Sequence, residues 1–422
     1  MLKKDAVLIQ KTNILYLSYD GMTDPLGQSQ VLPYLRELSK QGYAFHLISF
    51  EKPERFAQHK DQIQKMCNES GITWHPISYT KRPPVVSTVF DISKMRNKAM
   101  KLHRKYSFKM VHCRSYLAAL VGLRMKRTLG IPFLFDMRGF WADERVDGKI
   151  WNLRNRVFRT VYRYFKRKEK DFLTEADHII SLTHNGKEEI TANICPAVSP
   201  DKITVIPCCA DLNLFNPEKV TSGQLVLLRK KLGIQSEDKI LGYVGSVGTW
   251  YMLNEMLALF KSLKQQDHSW RILFVTGDDP EHIHGKANSL GINSNDLLID
   301  RCLHAEVPAY ISLFDLSVFF ILPAYSKKAS SPTKQGELMA MGIPLICNDG
   351  VGDTALVVNT YKSGVVLQNL NHFPSDLLEQ LHASFDKEET MRGAKEFYGL
   401  ESGVERYAKV YSSLLNEKSG VS

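Results

Sequence analysis

The chain has 422 residues, a net charge of +10, and 44% hydrophobic against 24% charged residues. That length is too great for one ordinary core and implies two domains of roughly 200 residues each. The balance is that of a globular protein, and the most apolar stretch, Leu316–Ala324, is about half a bilayer span.

The start, Met1–Gln10, carries two lysines, but its apolar stretch is too short for a secretion signal. Asn13–Tyr19 is an apolar run, predicted as a strand, and it leads into a loop containing Gly21, Pro25 and Gly27. Leu32, Leu35 and Leu38 then share one face of a predicted helix, Val31–Lys40, and Phe45–Phe50 is the next strand. Strand, helix, strand is the unit of a parallel sheet. The rhythm continues through strands at Met110–Cys113 and Pro132–Asp136, a helix at Ala118–Thr128 between them, and strands at His178–Leu182 and Ile203–Ile206. It restarts with a strand at Ile240–Val244, a helix at Leu253–Leu263, and strands at Arg271–Thr276, Leu316–Ile321 and Pro344–Cys347. An amphipathic helix, Val404–Leu415, ends the pattern. The expected organisation is a domain over residues 1–218, a second over 219–400 and a closing helix over 401–422. Ligands of such sheets bind at the carboxyl ends of the strands, so the expected site is a cleft between the domains.

Chemistry concentrates in a few segments. In Ser330–Pro344, Ser331 fits a helix cap and Pro332 the first helical position. The free amides of that helix start make an anion site. Lys334, in the first turn, makes sense if an anion sits before it, and Glu337, one turn on from Thr333, can accept from ribose hydroxyls; the alternative is a surface helix with a routine cap. In the second half, Gly242, Gly245 and Gly248 allow close approach of backbone to a ligand, but their spacing is not a dinucleotide fingerprint. In the first half, Gly27 and Gln28 open a helix, either as an anion loop or as a tight turn. Asp136, Arg138, Asp143 and Glu144 cluster past a buried strand, as a site or as structural ion pairs. His112 either faces the cleft or is satisfied at a helix edge, and His184 is a similar case. The seven cysteines are scattered, without a C-x-x-C pair. No zinc is expected, and such usage fits a reducing cytoplasm. The basic run, expected as a helix over Trp151–Lys170 and interleaved with Val157, Phe158, Val161 and Phe165, fits a solvated face or an anionic membrane surface better than nucleic acid.

The second half resembles the family 4 glycosyltransferases, retaining enzymes of GT-B fold. Glu337-Leu-Met-Ala-Met-Gly-Ile-Pro-Leu-Ile matches the second part of their E-x7-E motif, whereas the first glutamate falls on Ala329, as in a branch written S-P-x-K-x-x-E. Thr276–Pro280, Ile203–Pro217 and Val404–Leu415 resemble the family's G-D-G-P turn, its domain linker and its closing helix. The resemblance implies an α/β fold of two facing doubly wound Rossmann-like domains, the last helix crossing back to the first. It also implies a nucleotide-sugar donor, no metal or other cofactor, and a glycan or lipid-linked acceptor. Such a protein would be cytoplasmic or peripheral on the membrane and act in polysaccharide or glycolipid synthesis.

Candidate catalytic residues are then Asp136, Arg138, Glu144 and Lys334. Candidate donor-binding residues are Gly27, Gln28, Gly245, Ser246, Gly248, Ser330, Ser331, Thr333, Lys334 and Glu337. Ser246 stands where the family carries an arginine, so Lys334, the helix dipole, or Arg138 or Arg301 must meet the phosphate charge. Two rival readings are a sugar-nucleotide epimerase of the same architecture, using Asp136 and Glu144, and a degenerate transferase acting as a binding protein.

Overall fold

A computed structural model describes residues 11–416; the start Met1–Gln10 and residues 417–422 of the expected closing segment lie outside the described residues. Seven parallel strands form the first sheet: β1 (Thr12–Ser18), β2 (Tyr43–Glu51), β3 (Thr73–Ser78), β4 (Met110–Arg114), β5 (Phe133–Asp136), β6 (His178–Ser181) and β7 (Ile203–Val205). Their order is β3-β2-β1-β4-β5-β6-β7. Six more form the second sheet: β8 (Lys239–Val244), β9 (Trp270–Val275), β10 (Leu297–Asp300), β11 (Leu316–Phe319), β12 (Leu345–Asn348) and β13 (Gly364–Leu367). The second order is β10-β9-β8-β11-β12-β13.

Both sheets are doubly wound. Helices cover both faces, so the central strands are apolar on both sides, as Ile14, Leu15 and Leu17 of β1 and Ile240 and Leu241 of β8 show by their full burial. Each order reverses beside its first strand, between β1 and β4 and between β8 and β11. Those reversals open the crevices where ligands of such sheets bind.

The expected helix over residues 31–40 is present as Leu32–Ser39, and a further short helix, Pro25–Gln30, precedes it, the two separated at Val31. Pro33 lacks the N–H that would continue the first helix, and Pro25 presets the start of an earlier one. The basic helix is Arg156–Glu175, with Asn155 as its cap, so residues 151–155 precede it. Among the described residues, no helix is long and apolar enough to cross a membrane.

The helix Leu400–Asn416 lies on the first domain. Tyr407 packs edge-on against Tyr34 at 5.6 Å, and Tyr411 against Tyr43 at 5.1 Å. The chain crosses between domains twice, and the crossings touch: Ala210 N–H donates to Tyr398 O (2.8 Å) and Leu400 N–H donates to Ala210 O (3.1 Å).

Candidate functional site

The helix Thr333–Ala340 begins at the floor of the cleft. Pro332, with extended backbone and no side-chain cap bond, takes the cap position, so the assignment of Ser331 as cap and Pro332 as first helical residue is corrected by one place. Ser331 is engaged elsewhere: its Oγ accepts from Cys208 N–H at 3.1 Å and ties the helix start to the linker. Ser330, Ser331 and Thr333 stay half-exposed in front of the helix.

Lys334 lies deep, with 7% of its surface exposed. Its Nζ donates to Tyr243 Oη at 2.8 Å and sits 4.0 Å from the centre of that ring and 3.7 Å from that of Tyr251. No carboxylate forms an ion pair with it among the described residues. Burial pushes the amine well below the usual lysine range, and Glu337 and Asp278 oppose this only in part. The site thus holds an amine in an aromatic cage without an ion-pair partner among the described residues. Gly245 makes room for it: its φ of +109° suits glycine, and a Cβ there would stand 3.3 Å from Lys334 Nζ. Glu337, one turn along, is buried, with His304 Nε2 at 3.6 Å from Oε1.

Of the two other glycines only Gly242 serves packing. A side chain at Gly242 would collide with the Phe314 ring, and Gly248 is exposed on the loop. Ser246 donates to Asp278 Oδ2 at 2.8 Å, joining the loops after β8 and β9. Asp279 caps the helix Pro280–Ser289, as a turn residue does. Arg301 Nη2 donates to the Gly277 carbonyl at 2.5 Å and braces the same turn.

On the opposite wall Gly27 and Gln28 lie in the helix Pro25–Gln30. Gly27 sits inside a helix, and a Cβ there would stand 2.3 Å from Gly21 O, so its glycine serves a close turn. The Gln28 amide already donates to Asp24 O at 3.2 Å. The turn itself hangs on buried Glu51, which accepts from the Met22 and Thr23 amides at 2.8 and 3.0 Å.

Arg138 stands at the cleft with φ +56°, a strained value for this residue. Its Nη2 donates to Cys208 Sγ at 3.2 Å, and Nη1 lies 4.0 Å from Asp136 Oδ1. Asp136 is buried beneath it and does not open to the cleft, contrary to a direct acid/base role: Tyr407 Oη donates to its Oδ2 at 2.9 Å, and His112 Nε2 is 3.3 Å away. Burial pushes the Asp136 carboxyl up, but Arg138, His112 and Arg114 outweigh it and hold the group below the usual range. His112, also in contact with Tyr411 Oη at 2.7 Å, is satisfied and fully covered rather than facing the cleft. Asp143 is structural, accepting from Tyr162 and Lys166.

Glu144 is paired across the cleft with Lys327 at 2.8 Å, and Lys327 in turn lies over the Trp250 ring at 3.7 Å. That pairing engages the Glu144 carboxylate with a cation of the second domain. Around it the segment Tyr325–Ser331 is clasped by the first domain. Tyr325 stacks on Phe140, Lys328 pairs with Glu189, and Thr183 Oγ1 donates to Lys328 O. The His184 amide donates to Asp353 at 2.6 Å, so His184 marks a domain contact. Ala329 is 2% exposed between Gly139 and Gly186. A longer side chain there would have to displace its neighbours. The tyrosine cage and Lys327 escaped the sequence reading. The aromatic pair looks like ordinary core, and the partner of Lys327 is 183 residues away.

Two family models divide the chain in the same way as its two sheets. "Glycosyltransferase Family 4" matches residues 28–214 and "Glycosyl transferases group 1" matches residues 227–392. The chain belongs to the family 4 glycosyltransferases of GT-B fold. Among relatives of this family 4 member is a D-inositol 3-phosphate glycosyltransferase of Segniliparus rotundus, 23% identical over 273 residues, 63% of this chain and 56% of that one. An alpha-monoglucosyldiacylglycerol synthase of Streptococcus pneumoniae is 22% identical over 269 residues, 60% of this chain and 54% of that one. The chain therefore spans about half the length of the curated relatives it matches. The sucrose-phosphate synthase structure of Thermosynechococcus elongatus shares the fold, with TM-score 0.72 and 16% identity over 96% of this chain and 100% of that one.

Proposed function

We propose that this family 4 member transfers a sugar from a nucleoside-diphosphate sugar to an acceptor hydroxyl, with retention at the transferred carbon. The observation that carries the reading is Lys334: a buried amine at a helix start, caged by Tyr243 and Tyr251, with no ion-pair partner among the described residues. A diphosphate placed there gains a charge-assisted bond and the helix amides together. As the sugar–phosphate bond breaks, charge grows on the leaving oxygen, and these fixed donors stabilise it without reorganising. Glu337 holds the ribose. Asp136 and Glu144 are both engaged by other groups, so the leaving phosphate itself is the base available on the reacting face, which supports front-face attack over an epimerase mechanism.

Thermal-shift measurements with UDP, GDP and ADP test this. One of the three should raise the melting temperature by several degrees at saturation, and the corresponding sugar donor should turn over only with acceptor present. Turnover of donor alone into an epimer would overturn the reading.

The acceptor, in this proposal, is presented at an anionic membrane face. Along the helix Arg156–Glu175, Arg156, Arg159, Arg163, Arg167 and Lys170 are exposed, with Val157 and Tyr164 at 57% and 41% exposure beside them. Each cation near an anionic surface is worth roughly 1 kcal/mol. A triple change of Arg159, Arg163 and Arg167 to glutamine should therefore weaken co-sedimentation with phosphatidylglycerol vesicles by about a hundredfold. Equal sedimentation of the variant and the wild type would remove the membrane from the proposal.

A further inference from the structure

A groove of about 1380 Å³ opens at the cleft beside Arg138 and Cys208 and runs across the first domain. It passes between the helix Val86–Tyr106 on one side and the helices Ser115–Leu129 and Arg156–Glu175 on the other. Ile92, Leu120, Trp151, Phe158 and Val161 line its length. A nucleotide does not need such a wall, and a free sugar would gain little from it.

The inner end is different in character. Arg114, 3% exposed, donates from Nε to Asp20 at 3.2 Å, while its buried Nη1 has no partner. The buried Nε of Arg138 has none either. Unpaired buried guanidinium N–H groups are costly unless an anion completes them. At the outer end Val89, 60% exposed, lines one side, and Tyr164, 41% exposed, lines the other. Arg96 and Arg124 line the groove without an ion pair among the described residues.

We infer that this groove is the seat of the acceptor, and that the acceptor is an amphiphile in which a sugar is joined through a phosphate to a single long apolar chain. The phosphate lies against Arg114 and Arg138. The sugar hydroxyl is held toward the donor segment at Ser331, and the chain follows the apolar wall outward to the exposed lip. The three chemistries of the groove occur in the order in which that molecule carries them. This assignment rests on the transfer reading given above and names its acceptor class.

Titration of the full chain by tryptophan fluorescence tests it, since Trp141 and Trp151 line the groove. The probes are farnesyl phosphate below its micelle concentration, farnesol, and inorganic phosphate. Farnesyl phosphate should bind at least about tenfold more tightly than farnesol, the size of a hydrogen bond to a charged group, and inorganic phosphate should leave the signal unchanged. Arg114→Gln should erase the preference and keep the farnesol affinity. Val161→Glu should weaken both ligands, while thermal protection by the preferred nucleoside diphosphate persists in both variants. Equal binding of farnesol and farnesyl phosphate by the wild type would overturn the proposal, and that comparison requires no variant. So would absence of farnesyl phosphate binding in a protein that a nucleoside diphosphate still stabilises. Farnesyl phosphate binding without any nucleoside diphosphate binding would keep the groove and defeat the donor reading instead.

Discussion

Replacing Lys334 with methionine should make the ligand-free protein more stable and, at the same time, blind to nucleoside diphosphates. Methionine keeps the length of the side chain and removes a buried amine that has no ion-pair partner among the described residues. Tyr243 does not lose its own bond, because its hydroxyl also donates to the Ser246 carbonyl. The gain should be roughly 1–2 kcal/mol, which is about 2–6 °C in melting temperature for a domain of this size. Its pH dependence has a definite sign. The Lys334 amine titrates lower in the folded chain than its ordinary 10.5, so the unfolded chain holds that proton more firmly. The penalty is therefore complete at low pH and fades as pH rises toward 10.5, and the advantage of methionine should fade with it. Protection by nucleoside diphosphate should fall by about a hundredfold or more in ligand concentration, as for loss of a preorganised donor. A variant that melts lower than the wild type, or keeps full protection, would mean that Lys334 is a structural residue.

The second large effect is expected at Asp136. Asn in its place leaves Arg138 without its buried acid and weakens the grip on Tyr407. Removing one partner of a buried charge pair costs about 3–5 kcal/mol, so calorimetry should show a fall of roughly 6–15 °C. Because Asp136 is held below its ordinary value of 3.8, its stabilisation is complete above that pH and is lost on acidification through the folded value. His112, pushed below 6.5 chiefly by burial, must charge on unfolding, so the wild type already weakens as pH falls below 6.5. His112→Gln should flatten that upper part of the curve and leave the lower part. A flat stability curve for the wild type from pH 7 to 4 would contradict both assignments.

The inner strands were legible in the sequence because burial on both faces leaves an unbroken apolar run, as in Ile14–Leu17 and Phe133–Phe135. β3, β10 and β13 were not read. Each is a sheet edge; β3 and β10 are only partly covered, β13 is just four residues long, and β3 carries Pro76 and polar residues that a central strand would not tolerate. The same logic divides the site. Lys334 and Glu337 were visible because one helix turn fixes their spacing. The clasp of Lys327 by Glu144, the crowding around Ala329 and the pairing of Asp136 with Tyr407 are made by residues far apart in the chain, so no local pattern encodes them. The basic run was legible as a pattern, but Lys166 within it is consumed by Asp143 and Glu169, which only packing reveals.

The paired crossings at Ala210 and Leu400 limit how the two halves can separate. Two backbone segments bonded side by side behave as the pin of a door: they permit swinging about one line and resist sliding or twisting. The swing would part Glu144 from Lys327 and Tyr325 from Phe140, since each pair joins one half to the other. Tyr407 belongs to the leaf that carries Asp136, so the floor beneath Arg138 travels as one piece with the acceptor wall. A substrate entering while the door stands open would thus meet an acceptor wall already in its working shape, and only the donor leaf would need to come home.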